Sequence, residues 1–190
     1  MLIEIYPYTS RWPDEFQQIG RTLRALLGDV ALRIDHIGST SVPNLAAKDV
    51  IDLQITVATL DPAVSAKMTA HGYRRVERII GDHRPPTDHS PDEQWHKWFF
   101  NAPIDQRPTN LHMRMAGHAN QRYALLFRDY LRAHPMAAEA YAQVKTALAK
   151  RDNADEDFYY DVKDPVCDII MAGAEEWAAR TVWTLGPTDA

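Results

Sequence analysis

Cysteine is nearly missing from this chain. Cys167 stands alone among 190 residues, so no internal disulfide can form and a reducing compartment is expected. Long uncharged apolar runs are missing too, which excludes a membrane-spanning helix. The opening MLIEIYPYTSRWPDEF puts Pro7 and several charges where a signal peptide needs an unbroken apolar stretch, so a cytoplasmic protein with no membrane partner is expected. Nor is there an excess of positive charge. Lys and Arg number 21 against 26 Asp and Glu, the net charge is -5 and the pI about 5.9, so no basic field exists to hold long nucleic acid. The Gly-rich phosphate loop, the dinucleotide fingerprint and the G-x-S-x-G elbow are all absent, as is a pair of histidines one helical turn apart. At motif level this excludes Walker-type ATPases, Rossmann oxidoreductases, α/β-hydrolases and zinc sites.

What is present is a chain with 45% hydrophobic content, enough for the core of one domain. Phe16, Ile19, Leu23, Leu26 and Leu27 recur at helical spacing between Ser10 and Gly28. Leu32 to Ile37 alternates as a strand that runs into Gly38. From Val50 the period is strictly two: Ile51, Leu53, Ile55 and Val57 share one face, Asp52, Gln54 and Thr56 the other. A helix over Pro62 to His71, a strand over Tyr73 to Ile80 and a polar loop over Gly81 to Glu93 follow. Strands are expected over Trp95 to Phe100 and Leu111 to Met115, with Asn110, His112 and Arg114 on one face of the second. Beyond Gly117 the pattern is helical, interrupted at His134-Pro135, with Asp164-Pro165 as the start of a last helix and an acidic patch over Asp152 to Asp161 before it. The predicted class is α+β: a mixed sheet of about five strands with a leading helix, in a part spanning residues 1–116, and a C-terminal helical part over 117–180 of the same domain.

Three groups of residues carry chemistry. Gly38-Ser39-Thr40-Ser41 is a turn whose hydroxyls and amides suit a phosphate; its ordinary alternative is a Gly turn with a Ser or Thr cap. Asp52, flanked by Ile51 and Leu53, is costly on a central strand unless it faces a cleft, pairs with Lys48, Lys97 or Arg114, or holds a metal ion. Asn110, His112 and Arg114 offer an amide, an imidazole and a guanidinium that could grip an anion, or form a plain solvent face. Lys48, Lys97, Arg128, Arg132, Lys145 and Lys163 are candidates for a cationic rim, although singly each reads as a solvated charge.

Taken in order, His36-Ile37-Gly38-Ser39-Thr40-Ser41-Val42-Pro43, Leu45-Ala46-Ala47-Lys48 and Ile51-Asp52 resemble the signature of the GrpB family. So do Asn110-Leu111-His112, the run LFRDYLRAHP from Leu126 to Pro135 with Ala140-Tyr141 and Lys145, and the pair Tyr159 and Lys163. The resemblance runs from about Ile3 to about Ile170. It implies a fold like the nucleotidyltransferases of polymerase-β type, in which a Gly-Ser turn binds phosphates and alternate carboxylates on the next strand hold two Mg²⁺ ions. Carried over, Gly38 and Ser39, with Thr40, would bind terminal phosphates. Asp52 would be the catalytic metal ligand, and Lys48, His112 and Arg114 would bind substrate. Gln54 stands at the second carboxylate position, and His112 and Arg114 stand where a third acid would come from a later strand. A neutral amide is a poor Mg²⁺ ligand, so this departure argues against two-metal catalysis and leaves anion binding intact. The family also resembles a domain fused behind dephospho-coenzyme A kinase. The expected partner is a nucleotide or small phosphorylated molecule, with Mg²⁺ as cofactor and weak or single-metal transfer as the activity. The alternative is an accessory domain without catalysis, in which His36, Asp52 and His112 form a buried polar network.

Overall fold

The computed structural model describes residues 3–150 and 156–190. Helix α1 (Arg11–Leu27) buries Trp12, Phe16, Leu23 and Leu27, which lie three to four residues apart or multiples of that spacing, so they form one stripe. It stops at Gly28, whose φ of 56° only glycine adopts cheaply and whose N–H caps the Arg24 carbonyl. Strands β1 (Arg33–Ile37), β2 (Ile51–Val57), β3 (Arg74–Arg75), β4 (Trp98–Asn101) and β5 (Thr109–Met115) form one sheet in the order β1-β2-β5-β4-β3. The central pair β2 and β5 is parallel, and the other pairs are antiparallel. Helix α2 (Pro62–Ala70) starts at Asp61, whose carboxylate accepts from the Ala63 amide.

The two faces of β2 have different fates. Ile51, Leu53, Ile55 and Val57 enter an apolar core with the α1 stripe, Phe100, Leu111 and Met113. The other face pairs Asp52 with Asn110, Gln54 with His112 and Thr56 with Arg114, so the polar residues of both central strands lie side by side. Helices α3 (Ala119–Ala133), α4 (Pro135–Ala149) and α5 (Glu156–Thr181) follow the sheet, and α3 covers this polar face. There the Gln54 amide donates to the Gln121 carbonyl. A second core joins Val42 and Leu45, just past the Gly38 turn, to Leu131, Ala138, Tyr141 and Cys167. Burying two such side chains is worth roughly 1.5–3 kcal/mol each, and it fixes α4 and α5 over the turn. The α+β class, the mixed five-stranded sheet and the leading helix are those expected, and the helix, strand, Gly-Ser turn and acid-bearing strand follow in the expected order. Among the described residues no helix is long and apolar enough to cross a membrane.

Four expectations are corrected. The strand over Tyr73 to Ile80 shrinks to Arg74–Arg75, because after Val76 donates to the Phe99 carbonyl the chain turns and the Ile79 amide bonds back to the Val76 carbonyl instead of to β4. The strand expected from Trp95 starts at Trp98, since Asp92–Trp95 is a 3₁₀ turn in which the buried Trp95 indole donates to Asp88 and Ser90. Helix α5 does not start at Pro165 but runs through it. Tyr159 and Cys167, two turns apart, are both buried, and that packing outweighs the hydrogen bond a proline removes. Arg128 is buried rather than exposed, donating to the His36 carbonyl and to Asp189. Of the acidic patch, residues 152–155 lie outside the described residues.

Candidate anion site at the Gly38 turn

Gly38 has φ +67°, and a side chain there would put Cβ 2.5 Å from Asp52 Oδ2 and 2.7 Å from Asp52 Cβ. Only glycine lets the turn backbone lie against the carboxylate of β2. The 3₁₀ turn Ser39–Ser41 is then fixed on three sides. Ser41 Oγ donates to the Gly38 carbonyl at 2.6 Å, Arg132 Nε donates to the Ser41 carbonyl at 3.0 Å, and Thr40 Oγ1 lies 3.0 Å from His36 Nε2. His36 stacks on Phe16 with ring centroids 4.7 Å apart. Thr40 therefore faces inward, and Ser39 is the hydroxyl left towards the helical part.

What meets Ser39 is Lys145, from α4. Its ammonium donates to Ser39 Oγ at 2.7 Å and to the Ala46 carbonyl at 2.6 Å, and the residue is 2% exposed. No carboxylate among the described residues forms an ion pair with it. Burial, reinforced by the Lys163 charge and only partly offset by Cys167 and Asp52, pushes its pKa down to about 7. A buried cation without an anion is the costly half of a pair.

Asp52 sits on the other side of the turn, its side chain 29% exposed. Asn110 Nδ2 donates to Oδ1 at 2.9 Å, and His112 Nε2 lies 3.8 Å from the same oxygen. Burial pushes the carboxyl up, but His112 and Asn110 more than offset it and hold it below the ordinary value. Burial, with the charges of Lys97 and Arg114, lowers His112 to about 4, so the imidazole is neutral near pH 7. Its Nδ1 is 3.2 Å from both Lys97 Nζ and Arg114 Nη2. Those groups only donate, so Nδ1 accepts and the ring proton sits on Nε2, facing Asp52.

Behind His112 lies a network centred on Asp82, from the polar loop over Gly81 to Glu93. Asp82 accepts from Lys97 at 2.6 Å, from Arg114 Nε and Nη2 at 2.8 Å each and from Asn120 at 3.0 Å. Burial raises this carboxyl, but the two cations outweigh it and hold it well below the usual carboxylate range. Arg114 Nη1 donates to Gln54 Oε1 at 2.6 Å, and Gln54 is fully buried. Every Arg114 nitrogen is thus engaged by the protein. This bears on Mg²⁺. Asp52 is the residue that would hold a single ion, since Mg²⁺ takes few protein ligands beside phosphates and water. A second ion does not fit, since the Gln54 oxygen in the alternate position is capped by a guanidinium. Among the described residues no group of three or more His, Cys, Asp or Glu side chains could hold a metal ion.

The structure therefore brings Gly38, Ser39, Asp52 and His112 together and turns Thr40 and Arg114 inward. Lys48 is half-buried at the rim, its Nζ 3.4 Å from the Tyr160 hydroxyl. Asp52 pairs with none of Lys48, Lys97 or Arg114. Sequence reasoning missed Asp82, because a carboxylate in a Pro- and His-rich loop carries no mark of burial. It also left Lys145 among generic rim cations, although its place in the family motif was a usable signal. A separate cleft of about 680 Å³ opens between the 85–88 loop, α3 and α5 over Trp95 and Tyr123, and it collects none of these groups.

Fold and site together define an α+β protein with a polar corner where the Gly38 turn, Asp52 and Lys145 meet. The chain belongs to the GrpB family, described as GrpB protein, which matches residues 2–172. It is similar in structure to the conserved protein GrpB from Enterococcus faecalis, with 27% identity and a TM-score of 0.70 over 92% of this chain and 99% of that one. It is 38% identical to a dephospho-CoA kinase of Mycolicibacterium paratuberculosis over 95% of this chain and 48% of that protein. The UPF0157 protein YqkA of Bacillus subtilis is 34% identical over 92% of this chain and 48% of its own length. The chain spans about half the length of these two curated relatives.

Proposed function

We propose that this GrpB-family protein binds a nucleotide or similarly phosphorylated small molecule at the Gly38–Ser39 corner. The observation that carries this reading is Lys145, a buried ammonium resting on the Ser39 hydroxyl with no carboxylate among the described residues paired to it. A phosphate oxygen entering beside Ser39 supplies the missing charge and forms a charge-assisted hydrogen bond. Asn110 and the Nε2–H of His112 hold the Asp52 carboxylate in place, and Asp52 would hold a single Mg²⁺ against the same phosphate. Bound there, the ion would screen charge on the phosphate oxygens. With Gln54 committed to Arg114, any nucleotidyl transfer would run on one metal, so the geometry favours binding over fast transfer. Relatives named dephospho-CoA kinase make coenzyme A precursors reasonable ligands to try, and the single buried Cys167 suits a reducing, cytoplasmic setting.

The test is calorimetric titration with nucleoside triphosphates and with dephospho-coenzyme A, each with and without Mg²⁺. Saturable heat is expected with at least one, and Asp52→Ala should weaken the Mg²⁺-dependent binding at least tenfold. No heat with any of them rejects the reading, as does an unchanged affinity in the variant.

A further inference from the structure

We infer that segment 183–190 is exchanged between two copies of this chain, each copy's segment closing the sheet edge of the other. β1 is an edge strand, with β2 on one side only. Its other side is covered by this segment, which turns back to it after α5. Thr188 Oγ1 accepts from the Ile34 amide at 3.0 Å, Asp189 Oδ2 accepts from the His36 amide at 2.9 Å, and the Ala190 amide donates to the Ile34 carbonyl at 3.1 Å. The buried Arg128 guanidinium donates to the same Asp189 oxygen at 2.6 Å, and Arg33 holds the Gly186 and Pro187 carbonyls. On α1, a Cβ at Gly20 would stand 2.7 Å from the Cβ of Ala190, so the segment rests where the helix carries no side chain. These contacts recognise the segment whichever copy supplies it.

The joint that turns the segment back is strained. Helix α5 ends at Thr181, and the Trp183 amide bonds to the Ala178 carbonyl at 3.0 Å, which is the closure of a Schellman end. That closure puts one residue in the left-handed region, where glycine is usual. Here it is Val182, with φ +52°. A β-branched side chain is poorly tolerated at that angle, and Val182 gains little packing in return, being 79% exposed. Should Val182 take helical angles instead, α5 lengthens, the Trp183 amide exchanges its bond for an ordinary helical one, and the strain disappears. The segment is then carried away from its own β1. A lone copy loses every bond described above and leaves a strand edge open. Two copies lose none, because each segment meets the same partners on the other's β1 while both joints relax. A second copy is therefore the partner that fits this edge, since it brings Thr188 and Asp189 in the spacing the edge already accepts.

Sedimentation velocity on the whole chain, from micromolar to millimolar concentration, should show a concentration-dependent dimer. Val182→Gly removes the strain and almost no packing, so it should weaken dimerisation at least tenfold. Val182→Ala keeps a left-handed penalty and favours a longer helix, so it should dimerise at least as well as the parent. Exchange itself is read with Gly20→Cys and Ala190→Cys combined. Mild oxidation links a chain to itself where its segment is closed and two chains where the segments are exchanged, while the buried Cys167 stays out of reach. A disulfide-joined dimer on a non-reducing gel of the dimer fraction is the expected result. A chain that stays monomeric throughout overturns the inference, as does a dimer indifferent to Val182→Gly. Equal weakening by both Val182 variants would assign the effect to the lost side chain and overturn it too. So would a dimer fraction whose chains are linked only to themselves or not at all.

Discussion

Replacing Lys145 with methionine should move stability and binding in opposite directions. Methionine keeps most of the aliphatic stem against Tyr141 and removes the charge. Moving a lysine from its ordinary 10.5 to about 7 costs folding on the order of 4 kcal/mol at neutral pH. Against that, the hydrogen bonds to Ser39 Oγ and the Ala46 carbonyl are lost, together about 1–3 kcal/mol. The variant is therefore expected to be as stable as the parent or more so by about 1–3 kcal/mol, a rise of roughly 2–10 °C in Tm for a chain of this size. A phosphate ligand, by contrast, loses a charge-assisted hydrogen bond worth about 1.5–3 kcal/mol, so its Kd should rise roughly 10- to 100-fold. The pH dependence has the same opposed signs. The unfolded chain binds the extra proton between about 7 and 10.5, so this residue's cost to folding fades as pH rises through that window. Anion affinity needs the charged form, so it falls over the same range, by up to tenfold per pH unit. The groups facing Lys145 are Lys163 and Cys167 on α5, Tyr141 on its own helix and Asp52 on β2, and the first and last of these keep their charge near neutrality. Differential scanning fluorimetry and calorimetry on the two proteins from pH 6 to 9 read both quantities. A variant that melts well below the parent yet binds anion equally would show that Lys145 is a structural donor and nothing more.

Other perturbations separate the remaining groups. Asp52→Asn should leave metal-free phosphate affinity within a fewfold and abolish any gain from Mg²⁺, as titrations in EDTA and in Mg²⁺ would show; an intact Mg²⁺ gain would place the ion elsewhere. Gly38→Ala meets both the left-handed φ and the 2.5 Å approach to Asp52, so a loss of about 2 kcal/mol or more is expected in denaturant melts, together with loss of anion binding. Asp82→Asn strands two buried cations and should cost about 3–5 kcal/mol. Because the folded-state pKa of Asp82 is depressed, its stabilisation is complete above the ordinary value of 3.8 and fades as pH falls below it. Acid unfolding of the parent should therefore be steeper than that of the variant, and parallel curves would remove Asp82 from the account.

Much of this protein could be read along the chain. The α1 stripe, the two-residue period of β2 and the glycine before Ser39 are local patterns, and each is set by backbone geometry that neighbours in sequence already determine. The order of the motifs likewise identified the family, and Gln54 already argued against a second metal. Tertiary structure alone decided which polar groups stay free for a ligand. Whether Arg114 reaches a phosphate or is consumed inside depends on Asp82, 32 residues away, and whether Lys145 is a solvated charge or a buried one depends on a loop 99 residues before it. Desolvation and pairing are properties of the packed neighbourhood, because the cost of a charge is set by what surrounds it in space, and no periodicity in the chain records that.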